Sequence, residues 1–188
     1  MKIKSIIKNC TTHGMMILIT AADGTQWLGD DCSIYPLLGL PHFEFDELCN
    51  AYDIGDKKQE KICFSEKNET GTDLNLNDTD GTESICEPIG VNFFYAGQVM
   101  VPYQTQYGIM YLNRRYLEPL WDTPDDLEIY TRETESGDKY FAAKIGMILR
   151  GIITPIEIRD KKFAERLGAL YRHAEYCARN VGGDENDN

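Results

Sequence analysis

The sequence lacks the short motifs by which most enzyme families are recognised. It has no glycine-rich phosphate loop, no nucleophile elbow and no zinc-protease helix. Histidine, whose imidazole is the usual catalytic base near neutral pH, occurs only three times in 188 residues. We therefore assign no catalytic residue and expect a non-enzymatic protein.

Paired cysteine spacings and long apolar runs are also missing. The six cysteines are dispersed, a pattern typical of free thiols in a reducing compartment. The longest apolar run, around Met15–Thr20, is far shorter than the roughly 20 residues that cross a bilayer. Lysines interrupt the first eight residues, which therefore do not resemble a secretion signal. We expect a protein of the bacterial host cytoplasm, without disulfides, bound metal or cofactor.

Negative charge is what the sequence has in excess. Its 31 acidic and 19 basic residues give a net charge of −12. Segment 66–87 has seven acidic residues against one lysine, and segment 118–138 has eight against one arginine. Clustered carboxylates create a surface field that repels nucleic acid and attracts basic protein surfaces. A basic protein is therefore the expected partner.

We predict that the two segments form one docking surface, because carboxylates can occupy the positions that phosphates would fill opposite Lys or Arg. The candidate partner-binding residues are Asp122, Asp125, Asp126, Glu128, Glu133, Glu135, Glu66, Glu69, Asp73, Asp78, Asp80 and Glu83. Within them, segment 122–128 is the preferred contact because structured elements flank it. A role of the acids in solubility alone remains an alternative.

A small, acidic protein without catalytic motifs resembles the inhibitors that bacteriophages and mobile elements use against host nucleases, anti-CRISPR proteins among them. This resemblance implies a DNA mimic that inhibits a nucleic-acid-processing bacterial protein, in the first place a CRISPR-associated nuclease, by electrostatic docking on its cationic surface. Direct contact with nucleic acid is expected, if anywhere, only from basic residues of the last helix. These are Lys161, Lys162, Arg166, Arg172 and Arg179.

The hydrophobic pattern predicts an α+β fold, with mostly antiparallel strands, short helices between them and a C-terminal amphipathic helix. The predicted elements are hairpins of 15–20 with 25–28 and of 127–132 with 139–145, a strand at 2–7, a helix over 45–52 and a helix capped by Asp160. The strand at 2–7 is inferred because Ile3 and Ile7 alternate with lysines.

Residues 1–183 are predicted to form a single domain, and two similar halves, 1–66 and 90–160, can be distinguished within it. The acidic segment 67–89 between them is predicted to be a mobile loop. Its polar part has only Leu74 and Leu76 to bury, which is too little to offset the entropy of ordering. Residues 184–188 are predicted to be a disordered acidic tail.

Two alternatives to the inhibitor function remain open. Segments 46–53 and 115–122 each end in an aromatic residue and Asp, and an extended segment follows each of them. This repeat resembles the half-domains of DNA sliding clamps, with Tyr116–Leu120 at the position of the short helix, and it implies a ring-forming replication accessory module.

The second alternative is a cysteine- or metal-dependent enzyme. Its candidate residues are His13, His42 and His173, each paired with a cysteine, and in particular His173 with Cys177, four residues further along one helix. Residues 77–83 also resemble part of an EF-hand loop, although the acids required at its fifth and twelfth positions are missing.

Overall fold

The computed structural model describes residues 1–68, 72–122 and 126–181. In this part the chain forms four α-helices and twelve strands, so the predicted α+β class is confirmed. The elements are α1 (Ile3–His13), β1 (Met15–Thr20), β2 (Gln26–Gly29), β3 (Ser33–Pro36), α2 (Phe45–Ala51), α3 (Asp56–Gln59), β4 (Cys63–Asn68), β5 (Ser84–Ile85), β6 (Glu87–Pro88), β7 (Phe93–Tyr95), β8 (Gln98–Thr105), β9 (Gly108–Asn113), β10 (Leu127–Glu133), β11 (Lys139–Ile145), β12 (Ile148–Ile153) and α4 (Lys161–Val181).

The strands form two sheets. The larger has eight strands in the order β4-β1-β2-β3-β12-β11-β10-β5, antiparallel except for the parallel pair of β1 and β4. In the smaller sheet, β8 pairs with β6, β7 and β9. Strands from both of the predicted halves therefore share the larger sheet.

Side chains on the two faces of the larger sheet belong to two separate apolar clusters. Leu18 and Phe141 belong to one, together with Ile6 of α1. Trp27 and Tyr140 belong to the other, together with Leu76 from the segment before β5. Successive strand residues point to opposite faces, and this alternation explains how neighbours such as Tyr140 and Phe141 enter different clusters.

The predicted strand at residues 2–7 is wrong, because these residues begin α1. Ile3, Ile6, Ile7 and Cys10 follow the i, i+3, i+4, i+7 spacing of one helix face, and the last three are buried. Gly14 ends the helix with a φ of 79° and donates its N–H to the Cys10 carbonyl. This left-handed turn leads directly into β1.

The two predicted hairpins and the two predicted helices are confirmed. Gly24 turns β1 into β2 with a φ of 85°, and Gly137 turns β10 into β11 with a φ of 91°. Helix α2 buries Leu48 and Cys49. The Phe163 N–H donates to Asp160 Oδ1 at 3.0 Å, as expected for the cap of α4.

The chain divides into two compact units, Met1–Ile156 and Glu157–Asn188. The first contains both sheets and α1 to α3, and the second contains α4. Over the described ranges, none of the helices has both the length and the apolar character that crossing a membrane requires.

Candidate functional site

The predicted loop over residues 67–89 is too long, because β4 extends to Asn68 and both β5 and β6 lie within its last six residues. The segment from Thr72 to Glu83, here called the acidic loop, contains no regular helix or strand. The prediction that it buries too little is wrong. Leu76 is only 7% exposed and packs in an apolar cluster of the larger sheet. Asn75 also approaches the sheet, because its N–H donates to the Tyr140 hydroxyl at 3.2 Å.

A buried ion triad of Glu83, Arg132 and Lys144 ties the acidic loop to the sheet. Arg132 is 0% exposed, and its Nε and Nη2 donate to Glu83 Oε2 at 2.8 and 2.6 Å. Lys144 Nζ donates to the other carboxylate oxygen, Oε1, at 2.7 Å. Both oxygens of Glu83 therefore bond to cations, which is the condition under which charges tolerate burial.

The same guanidinium also holds the backbone of the acidic loop. Arg132 Nη1 donates to the carbonyls of Asn75 at 3.1 Å and Asn77 at 2.9 Å, and Nη2 donates to that of Asp78 at 3.0 Å. Asp78 Oδ1 in turn accepts the Leu149 N–H at 2.8 Å. One planar side chain thus fixes the course of the loop through several donors.

An open groove with a volume of about 830 Å³ lies between the acidic loop and the turn that joins β10 to β11. Four predicted partner-binding residues line it: Asp73 and Asp80 from the acidic loop, Glu133 from the end of β10 and Glu135 from the turn. Its other described lining residues are Thr72, Leu74, Asn75, Thr82, Thr134 and Tyr140. None of these described lining residues is basic.

Hydrogen bonds keep two of the groove carboxylates ionised. Burial alone would raise the pKa of Asp80, but hydrogen bonds from Thr82 and Asn75 hold it below its ordinary value of 3.8. The Tyr107 hydroxyl donates to Glu133 Oε2 at 2.8 Å and, with Lys139, lowers the pKa of that carboxyl group. Both groups are therefore negatively charged at neutral pH.

The two acidic segments meet directly beside the groove. The Ser136 hydroxyl oxygen lies 3.4 Å from Asp73 Oδ2 and 3.1 Å from Asp138 Oδ2, and its single proton can be donated to either carboxylate. Asp73 belongs to the first segment and Asp138 to the second, so a single hydroxyl links them. The convergence of the two segments is thus real at this point of the surface.

Several other predicted residues lie away from the groove. Glu83 belongs to the buried triad and does not line the groove. Glu66 lies on edge strand β4, six strands away from β10 in the order of the sheet. Glu128 precedes Glu133 by five residues on β10, about 16 Å of extended chain. Asp122 pairs with the amino group of Met1 at 2.5 Å and with Lys2 Nζ at 3.7 Å.

Asp126 is exposed next to the start of β10, whereas Glu69 and Asp125 lie outside the described residues. Most of the preferred contact segment, residues 122–128, therefore contributes nothing to the groove as described. The residues that do converge come from the acidic loop, from the end of β10 and from the turn that follows it. The pairing of the strands decides which acidic residues line the groove, and the sequence pattern alone does not determine that pairing.

The acids of the EF-hand-like stretch 77–83 do not point to a common centre. Asp78 accepts from the Leu149 backbone, Asp80 from Thr82 and Asn75, and Glu83 from the two buried cations. Each carboxylate thus has a separate protein donor. This arrangement stabilises the loop instead of surrounding an ion.

On α4, Lys161, Lys162, Arg166 and Arg172 are exposed, and the side chain of Arg179 lies outside the description. His173 Nε2 and Cys177 Sγ lie 3.7 Å apart on this helix. Elsewhere, burial raises the pKa of both Cys32 and Cys86 to about 11. These two thiols are therefore protonated at neutral pH and are weak nucleophiles.

A second cluster of side chains was not predicted from the sequence. His13, at the end of α1, lies beside Asp31 and Cys32 from the turn between β2 and β3, with His13 Nε2 and Asp31 Oδ1 2.8 Å apart. The cluster was not predicted because a strand at residues 2–7 does not place His13 at the end of a helix. The sequence signal that indicates this cluster is an Asp-Cys pair together with a helix whose last residue is a histidine.

Comparisons of the chain with known protein families, with curated proteins and with solved structures gave no match.

Proposed function

We propose that the chain is a non-enzymatic inhibitor that docks its acidic groove on the cationic surface of a nucleic-acid-processing bacterial protein, with a CRISPR-associated nuclease as the first candidate. The observation that carries this proposal is the groove, where Asp73, Asp80, Glu133 and Glu135 converge without a basic residue among the described lining. Of these four carboxylates, Glu133 also pairs with Lys139 Nζ, at 3.3 Å beside the groove. Nucleic acid itself is repelled by such a field, whereas a phosphate-binding protein surface is attracted.

The geometry supports this function because the groove is organised before binding. The Arg132 guanidinium fixes the backbone of the acidic loop, and hydrogen bonds orient Asp80 and Glu133. A preorganised carboxylate array loses little conformational entropy when it meets lysines and arginines. Threonine hydroxyls at positions 72, 82 and 134 add neutral hydrogen-bonding groups between the charges.

The experiment measures the affinity of the full chain for guide-loaded CRISPR-associated nucleases, with target DNA as competitor. We expect tight binding that excludes DNA and weakens as the salt concentration rises, because exposed charges are screened. Binding to none of the nucleases, or an affinity that salt does not change, contradicts the proposal.

A matched pair of double variants locates the contact. Asp73→Asn with Glu135→Gln removes two exposed groove charges and should weaken binding by roughly 5- to 30-fold. Glu66→Gln with Asp126→Asn removes two exposed charges outside the groove and should change it by less than about 3-fold. Equal losses in both pairs would show that only net charge matters.

A further inference from the structure

We propose that His13, Asp31 and Cys32 form a binding site for one zinc ion, separate from the acidic groove. Their ligand atoms all lie within 4.8 Å of one another. An imidazole nitrogen, a carboxylate oxygen and a cysteine sulfur are the donor types that zinc takes in proteins. The site is open to solvent, since the His13 and Asp31 side chains are 31% and 50% exposed.

Hydrogen bonds hold the turn that carries Asp31 and Cys32. Asp30 Oδ1 accepts the N–H groups of Cys32 at 3.0 Å and Ser33 at 2.8 Å, which closes the turn between β2 and β3. The Thr154 N–H donates to the Cys32 carbonyl at 2.8 Å and anchors the turn to the chain that follows β12. At Gly29 a Cβ atom would lie 1.8 Å from the Ser33 carbonyl oxygen, so the turn accepts only glycine there.

The spacing of the ligand atoms suits zinc. Zinc bonds of about 2.0 to 2.3 Å place neighbouring tetrahedral ligand atoms roughly 3.4 Å apart. The present separations extend from 2.8 Å, between His13 Nε2 and Asp31 Oδ1, up to the 4.8 Å limit of the cluster. Zinc binding at this site would release the Cys32 thiol proton to water, because zinc binds cysteine as the thiolate, and a fourth coordination position would be open to water.

Unpartnered polar atoms beside the cluster provide an independent indication. Asp30 is only 2% exposed, yet its Oδ2 has no hydrogen-bond partner among the described residues. A buried carboxylate oxygen without a partner is costly, and a divalent cation bound next to it would offset that negative charge.

Arg115 imposes one rearrangement. Its Nη2 lies 3.5 Å from His13 Nδ1, and because a guanidinium only donates, this contact requires an Nδ1 without a proton. Zinc requires the Nε2 lone pair, and the ring proton then moves to Nδ1. Zinc binding therefore turns the Arg115 guanidinium away from the imidazole.

The test titrates the chelator-treated full chain with zinc against a chromophoric chelator at neutral pH, and repeats the titration with cobalt. We expect one zinc per chain and, with cobalt, a thiolate charge-transfer band together with the intense d–d bands of a tetrahedral site. Cys32→Ser and His13→Asn should each weaken zinc binding at least tenfold, and Cys32→Ser should also abolish the charge-transfer band because it removes the thiolate.

The matched controls are Cys177→Ser and His173→Asn, which remove the other Cys–His pair and should leave zinc binding unchanged. Asp31→Asn changes an exposed side chain and should keep the fold, so it tests the site even if Cys32→Ser does not fold. We expect Asp31→Asn to weaken zinc binding at least fivefold. Absence of stoichiometric zinc, or zinc lost only in the α4 variants, overturns the proposal. Binding to the nuclease plays no part in this measurement, so the two proposals fail independently.

Discussion

Two groups of charged side chains in this protein differ in how completely they are paired. In the buried triad, both oxygens of Glu83 bond to cations, and Arg132 also holds three backbone carbonyls. Beside His13, by contrast, Asp30 Oδ2 and Arg115 Nε are buried without partners among the described residues. A completed network fixes structure, whereas an incomplete one is the place where a ligand can add bonds. The difference separates a scaffold from a candidate binding site.

The largest expected effect is the loss of the triad's central cation. Arg132→Met leaves the loop carbonyls without their donor and Glu83 with only Lys144, so we expect the free energy of unfolding to fall by about 4 to 5 kcal/mol. Urea denaturation followed by circular dichroism measures it. Arg159→Met is the control, because this arginine is 87% exposed and Glu157, its one ion-pair partner among the described residues, is exposed as well. This substitution should cost less than about 0.5 kcal/mol. Similar losses in both variants would mean that the triad does not hold the loop.

Removal of one carboxylate charge from each group should lower the free energy of unfolding by different amounts. Glu83→Gln leaves two buried cations without a counter-charge, and we expect a loss of about 2 to 4 kcal/mol. Asp30→Asn keeps the acceptor for the turn N–H groups and replaces an unpartnered oxygen, so it should change the free energy of unfolding by about 1 kcal/mol or less. The same urea titration in the absence of zinc compares them. An Asp30→Asn variant as unstable as Glu83→Gln would remove the distinction.

The smallest expected effect concerns pH. The folded pKa of Asp80 lies below 3.8, so its hydrogen bonds stabilise the protein above that pH and lose this contribution as the pH falls through the folded pKa. Asp80→Asn should therefore show a shallower decline in melting temperature than the wild type between about pH 4 and pH 2.5. Parallel declines would show that the hydrogen bonds from Asn75 and Thr82 do not favour the ionised form.

Local patterns predicted the elements that local interactions determine. The β10–β11 hairpin follows from an alternating pattern on either side of Gly137, and α4 follows from Asp160 and its apolar periodicity. Helix α1 was missed because Ile3 and Ile7 fit a short strand as well as a helix, and the helical spacing becomes clear only when Cys10 is included.

The site was predicted only in part, because its contacts join distant positions. Glu83 and Arg132 are 49 residues apart, and His13 and Asp31 come from different elements. The sequence showed where acids are abundant, but not that Glu83 turns inward while Asp73 faces the groove. Burial of an arginine within an acidic segment depends on the pairing of β10 with its neighbours, which no local pattern encodes.

The manner in which Arg132 holds the acidic loop has an evolutionary consequence. Arg132 donates to backbone carbonyl groups, which every amino acid has. These hydrogen bonds therefore do not depend on which side chains stand at exposed positions such as Asp73 and Thr79. Substitutions at these positions alter the charge pattern of the rim without altering the path of the chain. Substitution can therefore change the charge of the groove surface while the path of the acidic loop is kept.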